Sequence, residues 1–277
     1  MANITAQDVN KLRTRTGSGM MDCKKALVEA DGDFEKAVDI LRKKGQKVAA
    51  NRVDRDANEG LVIAKCDSSG KKGVLITLNC ETDFVAKNDD FTSFANKISD
   101  IALDKLPNSI DELKSQPYES SLTIGDKIVE YVGKIGEKIE LSVFEKIASE
   151  TVVAYNHPGN KTASIVGLNK NGEAMTDVAK DVAMQIAAMA PVAIDKDDVS
   201  ADIIQREIEI GKEQARAEGK PEDILEKIAL GKLNKFYQES TLLNQAFIKD
   251  NKKTVQQYLK DTDKDLTVTA FKRHSLV

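Results

Sequence analysis

Two stretches of this chain share a pattern that few arrangements satisfy. "GLVIAKC" (Gly60–Cys66) and "VLITLNC" (Val74–Cys80) are β-rich runs joined by "DSSGKKG", which is a hairpin signal. A helical face follows, with Phe91, Phe94, Ala95, Ile98, Ile101 and Ala102 on one side. Further on, "ETVVAYNHPGNKTASIVGLNK" reads as a second hairpin turning at "HPGNK". "DVAKDVAMQIAAMA" then reads as a second helix, halted by Pro191. A hairpin followed by a helix, twice, predicts an internal duplication and an α+β fold. The copies differ at one place. The first leaves its hairpin through "ETDFVAK" (Glu81–Lys87), where the second has only "NKNGEAM". On burial statistics Phe84 is a core residue; its place in a segment that the second copy lacks argues for an outward role.

The segment before the first hairpin is helical. Thr5 and Asp8 have the spacing of a capping box, with Val9 and Leu12 as the apolar stripe behind it. "TGSG" (Thr16–Gly19) breaks that helix, and a second runs through Met20, Cys23, Leu27 and Ala30. "DGD" (Asp31–Asp33) then starts a third, with Phe34, Ala37, Val38 and Leu41 at i, i+3, i+4 and i+7. Gly45 reads as its C-terminal stop. Met20 and Met21 are adjacent on a helix and cannot both face one core, so one of them is expected to be exposed.

These patterns divide the chain into a three-helix head (1–45), a charged linker with room for some helix (46–58), a first core subdomain (59–147) and a second (148–277). The first core subdomain is completed by a helix over roughly 122–133 and a strand alternating at Ile139, Leu141 and Val143. Within the second, residues 198–239 predict an antiparallel helical hairpin. Ile204, Ile208, Gly211 and Ala215 form one seam, "EGKP" makes the turn, and Pro221 suits the first position of the returning helix. Ile224, Leu225, Ile228, Leu233 and Phe236 supply the facing side. So thin a hairpin is expected to project or to lean on a partner. A short helix near Val255–Leu259 and a strand alternating at Leu266, Val268 and Ala270 end the chain.

Composition narrows the chemistry. A length of 277 residues with 41% hydrophobic and 31% charged residues fits a folded, multi-domain protein. The net charge of −4, with acids and bases interleaved, argues against direct nucleic-acid binding by bulk charge. Aromatic residues are 5% and tryptophan is absent, which disfavours base-stacking platforms. No apolar run approaches membrane-spanning length, and the N-terminus has neither an apolar core nor an Arg/Ser-rich transit pattern. Three cysteines at no zinc spacing suggest a reducing compartment, and a cytoplasmic location is expected. Cys80 near "ETD" with His157 would make a nucleophile–base pair only if the fold joined them, and Cys80 ends an apolar strand where a structural thiol is normal. No metal-ligand spacing and no P-loop is present. The expectation is a non-enzyme without cofactor or metal.

Two long motifs carry a resemblance: "LRTRTGSGMMDCKKAL" (Leu12–Leu27) and "LNCETDFVAK" (Leu78–Lys87). With "YNHPG", "DVSADII" and "GKPEDILEKIALGKLNKF", they make nearly the whole chain resemble the bacterial translation elongation factor Ts family. Thr77 stands where many members have Glu and Glu81 where many have Gln. The chain stops at "FKRHSLV", where some members continue into a further helical module. The resemblance implies a ubiquitin-associated-like three-helix head and two related α/β core subdomains, the second bearing the projecting hairpin. It implies guanine-nucleotide exchange on elongation factor Tu, bound in its GDP and nucleotide-free forms. Asp83 and Phe84 would enter that partner's nucleotide domain and disturb its Mg²⁺ site, flanked by Thr82 and Val85. Arg13, Met20 and Met21 would dock the head, and His157 is a weaker contact. The hairpin would touch the partner's other domains or make homotypic contacts, leaving a homodimer or a 2:2 complex open. A passive adaptor, binding without accelerating release, is the rival expectation.

Overall fold

A computed structural model describes residues 4–119 and 122–276, so the outermost residues of the expected head and second subdomain lie outside the described ones. The chain mixes helix and strand and begins with three helices: α1 (Ala6–Thr16), α2 (Met20–Glu29) and α3 (Phe34–Ala50). The capping box forms: Asp8 N–H donates to Thr5 Oγ1 at 3.2 Å, and Thr5 N–H donates to Asp8 Oδ2 at 3.0 Å. Gly17 ends α1 at φ +66°, a left-handed conformation that costs glycine least. Asp33 caps α3 by accepting from Lys36 N–H at 3.1 Å. Leu12, Cys23, Ala26, Leu27 and Ala37 form the small core between the helices.

The first hairpin pairs β1 (Glu59–Cys66) with β2 (Lys72–Cys80). A single helical turn, α4 (Asp83–Ala86), leads into α5 (Asp89–Lys105). The short α6 (Ile110–Ser115), β3 (Pro117–Glu119) and β4 (Leu122–Thr123) precede α7 (Ile124–Ile135) and β5 (Ile139–Ala148). The strand order is β1-β2-β5. Central β2 is buried from Gly73 to Cys80, as its unbroken apolar run requires. Phe91, Phe94, Ile98 and Ala102 form the buried face of α5, and Phe94 stacks on Tyr131 of α7 with ring centroids 4.1 Å apart.

Gly45 does not stop α3. The helix continues to Ala50, so residues 46–50 of the expected linker are helical. The glycine instead allows a close crossing with α7. A Cβ built on Gly133 would lie 2.8 Å from the Gly45 Cα, and one on Gly45 would lie 3.2 Å from the Val129 carbonyl oxygen. Beside the crossing, Arg42 pairs with Asp126, the residue that completes the N-terminal capping box of α7.

The chain divides into two compact units. One comprises residues up to Ile63 and Ile76–Phe144; the other comprises Ala64–Leu75 and Glu145–Ser275. In the second, β6 (Thr151–Asn156) and β7 (Thr162–Leu168) form the hairpin, and α8 (Glu173–Met189) follows. Ala190, at φ +46°, ends α8 immediately before Pro191. Helices α9 (Ala201–Ala217) and α10 (Leu225–Ser240) pack against each other, with Gly211 letting Ala229 approach closely. Pro221 precedes a 3₁₀ turn (Glu222–Ile224) rather than opening α10 itself. Then come β8 (Ala246–Phe247), β9 (Asp250–Thr254), α11 (Val255–Thr262) and β10 (Val268–Ser275). The sheet order is β10-β7-β6, antiparallel throughout. Val166, Leu168, Val182, Ala183, Ile186 and Val268 are among the core residues shared by α8 and this sheet.

Candidate partner-docking site

The sequence "ETDFVAK" folds as a capped single turn. Thr82, extended at φ −124° and ψ 153°, is the N-cap, and its Oγ1 faces Val85 N–H at 3.5 Å. Ala86 and Phe91 are buried and anchor the far side. Phe84 faces the other way and is 83% exposed, which burial statistics for phenylalanine do not lead one to expect. Val85 is half-buried. Asp83 accepts from Lys87 Nζ at 2.7 Å. That bond is the main reason its carboxyl lies below the usual range, so the turn carries an ionised acid beside an exposed aromatic ring.

Every polar group of Thr82 is engaged. Its N–H donates to Glu137 Oε2 at 3.0 Å and its hydroxyl to Glu137 Oε1 at 2.8 Å. Its carbonyl accepts from Cys80 Sγ at 3.2 Å and from Ala86 N–H at 3.2 Å. One residue earlier the relation is mirrored: Glu81 Oε1 accepts from Lys138 N–H at 2.6 Å. Arg52 Nη1 also donates to both oxygens of Glu81, at 2.8 and 3.0 Å. The Lys138 amide above all, and then the Arg52 guanidinium, hold the Glu81 carboxyl below its ordinary range against partial burial. Lys138 Nζ donates in turn to the carbonyls of Val53 and Arg55. Sequence reading missed Arg52, Glu137 and Lys138. The nearest signal for Glu137 was its place directly after Gly136, the left-handed C-cap of α7.

On the head, Met20 is 58% and Met21 64% exposed, so both methionines face solvent rather than one. Cys23, Ala26 and Leu27 supply the buried side of α2 and leave no core position for either methionine. Arg13 is exposed on α1. In the second unit, His157 is exposed in the β6–β7 turn, with its Nδ1 3.1 Å from the Tyr155 hydroxyl. Its neighbour Asn156, also missed by sequence reading, has a structural part. The Asn156 side chain accepts from Ala64 N–H at 2.8 Å and donates to the Ala64 carbonyl at 2.9 Å. The structure therefore joins Thr82, Asp83, Phe84 and Val85 on one turn, and Met20 and Met21 at one helix start.

Cys80 is fully buried with its thiol on the Thr82 carbonyl, a structural use. Burial pushes the Cys66 thiol up to about 11 and also raises that of Cys23, so neither is poised as a thiolate. Among the described residues no three His, Cys, Asp or Glu side chains cluster as metal ligands. No described helix is long and apolar enough to cross a membrane.

Phe84 is thus an exposed aromatic on a turn fastened at every polar atom of its cap, and a ring so presented can bury a large apolar area against another surface. The comparisons give the chain a class, the translation elongation factors. A family model described as Elongation factor TS matches residues 81–276. The chain is similar along its whole length to proteins named Elongation factor Ts. It is 53% identical over 277 residues to that of Cytophaga hutchinsonii and 52% over 276 residues to that of Christiangramia forsetii, each covering 100% of both chains. With that of Amoebophilus asiaticus it shares 54% over 271 residues, covering 98% of each. The chain belongs to the elongation factor Ts family.

Proposed function

We propose that this chain is the guanine-nucleotide exchange factor for elongation factor Tu, and that Phe84 and Asp83 do the displacing. The observation that carries the reading is the 83% exposure of Phe84 on a clamped turn, inside the stretch matched by the family model. The residue roles follow from the resemblance. Phe84 wedges into the partner's nucleotide domain with Asp83 beside it, and Thr82 and Val85 line the contact. Arg13, Met20 and Met21 of the head dock on the same domain, and His157 adds a peripheral contact. The head (1–45) is ubiquitin-associated-like, and the core regions 59–147 and 148–277 are related copies. The hairpin α9–α10 serves the partner's remaining domains or a second copy of the chain.

The physics requires no catalytic side chain. A nanomolar nucleotide complex is held by about 12 kcal/mol and dissociates slowly. A factor that binds better to the partner conformation holding GDP and Mg²⁺ poorly shifts the partner toward it, by no more than its own differential affinity. By linkage GDP weakens the factor as much as the factor weakens GDP, so incoming nucleotide expels it. An aromatic wedge suits this because it buries a large apolar area with few rotors to freeze. Disturbing the partner's Mg²⁺ removes the main local charge holding the phosphates.

The test is release of fluorescent GDP from elongation factor Tu. The wild-type chain is expected to accelerate it, and the double variant Asp83→Ala/Phe84→Ala to lose most of the acceleration while keeping its fold. A folded double variant with full activity would sink the residue assignment. Binding without acceleration by the wild-type chain would favour an adaptor.

A further inference from the structure

We infer that Glu137, with Glu81 as its counterpart, is a positioning residue for Phe84. The inference rests on the exchange reading above. The ends of β2 and α7 are joined by two carboxylates that cross. Glu137 takes the N–H of Thr82, the residue after Glu81, and Glu81 takes the N–H of Lys138, the residue after Glu137. Neither bond belongs to the sheet ladder. Together they fix where the backbone leaves the strand and enters the turn.

Glu137 does more than close a loop. Thr82 has one N–H and one O–H to donate, and the two Glu137 oxygens receive both. With its proton committed to Glu137, the Thr82 hydroxyl can offer Val85 N–H only a lone pair, which is the N-cap arrangement. That cap contact is long, at 3.5 Å, and a four-residue helix has little cohesion of its own. The direction of α4, and with it the direction of Phe84, therefore depends on the Glu137 carboxylate. Arg52 pairs with the companion Glu81 at 2.8 Å and holds its carboxylate in place. A wedge that enters another protein gains by having its exit angle set in advance, because ordering it on binding would weaken the complex.

The experiment uses the full chain as wild type, Glu137→Gln, Glu137→Ala, Phe84→Ala and Glu137→Ala/Phe84→Ala. Urea midpoints establish that each is folded. Two readouts are compared: solvent exchange of the Thr82 amide by NMR, which needs no partner, and kcat/KM for GDP release from elongation factor Tu. Factor concentration is raised until release by the Phe84→Ala chain exceeds the spontaneous rate. Losing a charge-assisted bond predicts that Glu137→Ala speeds Thr82 amide exchange about tenfold and lowers kcat/KM about tenfold. Glu137→Gln keeps one acceptor oxygen and should fall between. In the Phe84→Ala background, Glu137→Ala should lower kcat/KM no further, because its effect passes through that ring.

Unchanged release by Glu137→Ala, with Phe84→Ala impaired, overturns the positioning role and leaves the exchange reading standing. Equal losses in both backgrounds also overturn it, since a general structural defect would act regardless of Phe84. Full activity in Phe84→Ala alone sinks the assignment of displacement to Phe84, and the positioning role falls with it. That failure is recognised separately because the variant leaves Glu137 untouched. No acceleration by the wild-type chain is what overturns the exchange reading.

Discussion

The connection after β2 and the connection after β7 occupy equivalent places, each between a hairpin and a long helix, and they use their polar groups in opposite directions. After β7, Asn169 turns inward. Its side chain donates to the Asp265 carbonyl at 2.8 Å and accepts from Thr267 N–H at 2.9 Å, while Lys170 pairs with Asp263. The connection closes the unit on the approach to β10 and displays no large apolar side chain. After β2, Glu81 and Thr82 are held by groups from elsewhere in the unit, and Phe84 on the turn that follows is exposed to solvent. One joint is tied into the fold; the other leaves an aromatic side chain exposed, the one assigned above to a partner. The physical difference lies in what is clamped: in the first unit it is the cap of a turn whose side chain points away from the core.

The sharpest way to break this contrast is to swap the expected losses. Phe84→Ala should leave the urea midpoint unchanged, since an exposed side chain contributes little to stability. With Asp83→Ala it should cut exchange by about a hundredfold, the scale of a hot-spot aromatic. Asn169→Ala should do the reverse. It leaves Thr267 N–H without its acceptor and should cost about 1–2 kcal/mol by urea unfolding, with GDP release unaltered. A stability loss from Phe84→Ala, or an exchange loss from folded Asn169→Ala, would erase the distinction between the two joints.

The clamp should also show itself through pH. The Glu81 carboxyl lies below its ordinary value in the folded chain, about 4.3 for an unperturbed glutamate. Its contribution is therefore full above that value and is lost as pH falls through the lower folded value. The urea midpoint measured from pH 6 down to pH 3 should drop less steeply in Glu81→Gln than in wild type. Equal slopes would mean that the Lys138 amide and Arg52 contribute nothing to folding through this group.

Much of this contrast was legible in the sequence, and the unread part has a common cause. The two hairpins, the capping box at Thr5 and Asp8, and the Pro191 stop rest on local spacing, which periodicity reads directly. The outward role of Phe84 could be argued because the second copy lacks its segment. The clamp could not be read, because Arg52 and Lys138 stand 29 and 57 residues from Glu81, and isolated charges look like solvated surface. Gly45 was misread for a different reason. A glycine near a helix end and a glycine at a helix crossing give the same local signal, and only the partner Gly133 tells them apart. Helix α6 and the β8–β9 pair are too short to show a period.

The smallest expected effect extends the comparison into the two central strands. Each holds a fully buried hydroxyl residue, Thr77 in β2 and Ser164 in β7. Ser164 Oγ donates to the Ala183 carbonyl of α8 at 2.7 Å. Thr77 Oγ1 has no hydrogen-bond partner among the described residues. A buried hydroxyl without a partner keeps its desolvation cost with nothing to offset it, whereas a paired one contributes a modest net gain. Thr77→Val has nearly the same shape and removes the cost, so it should raise stability by about 1 kcal/mol. Ser164→Ala removes a bond and should lower stability by about 1 kcal/mol. Both variants should keep wild-type GDP release, since neither touches the turn. Opposite shifts of the urea midpoint would show that the first central strand tolerates a polar atom the second puts to use. Destabilisation by Thr77→Val would mean that this hydroxyl is satisfied in solution and that the two strands are alike.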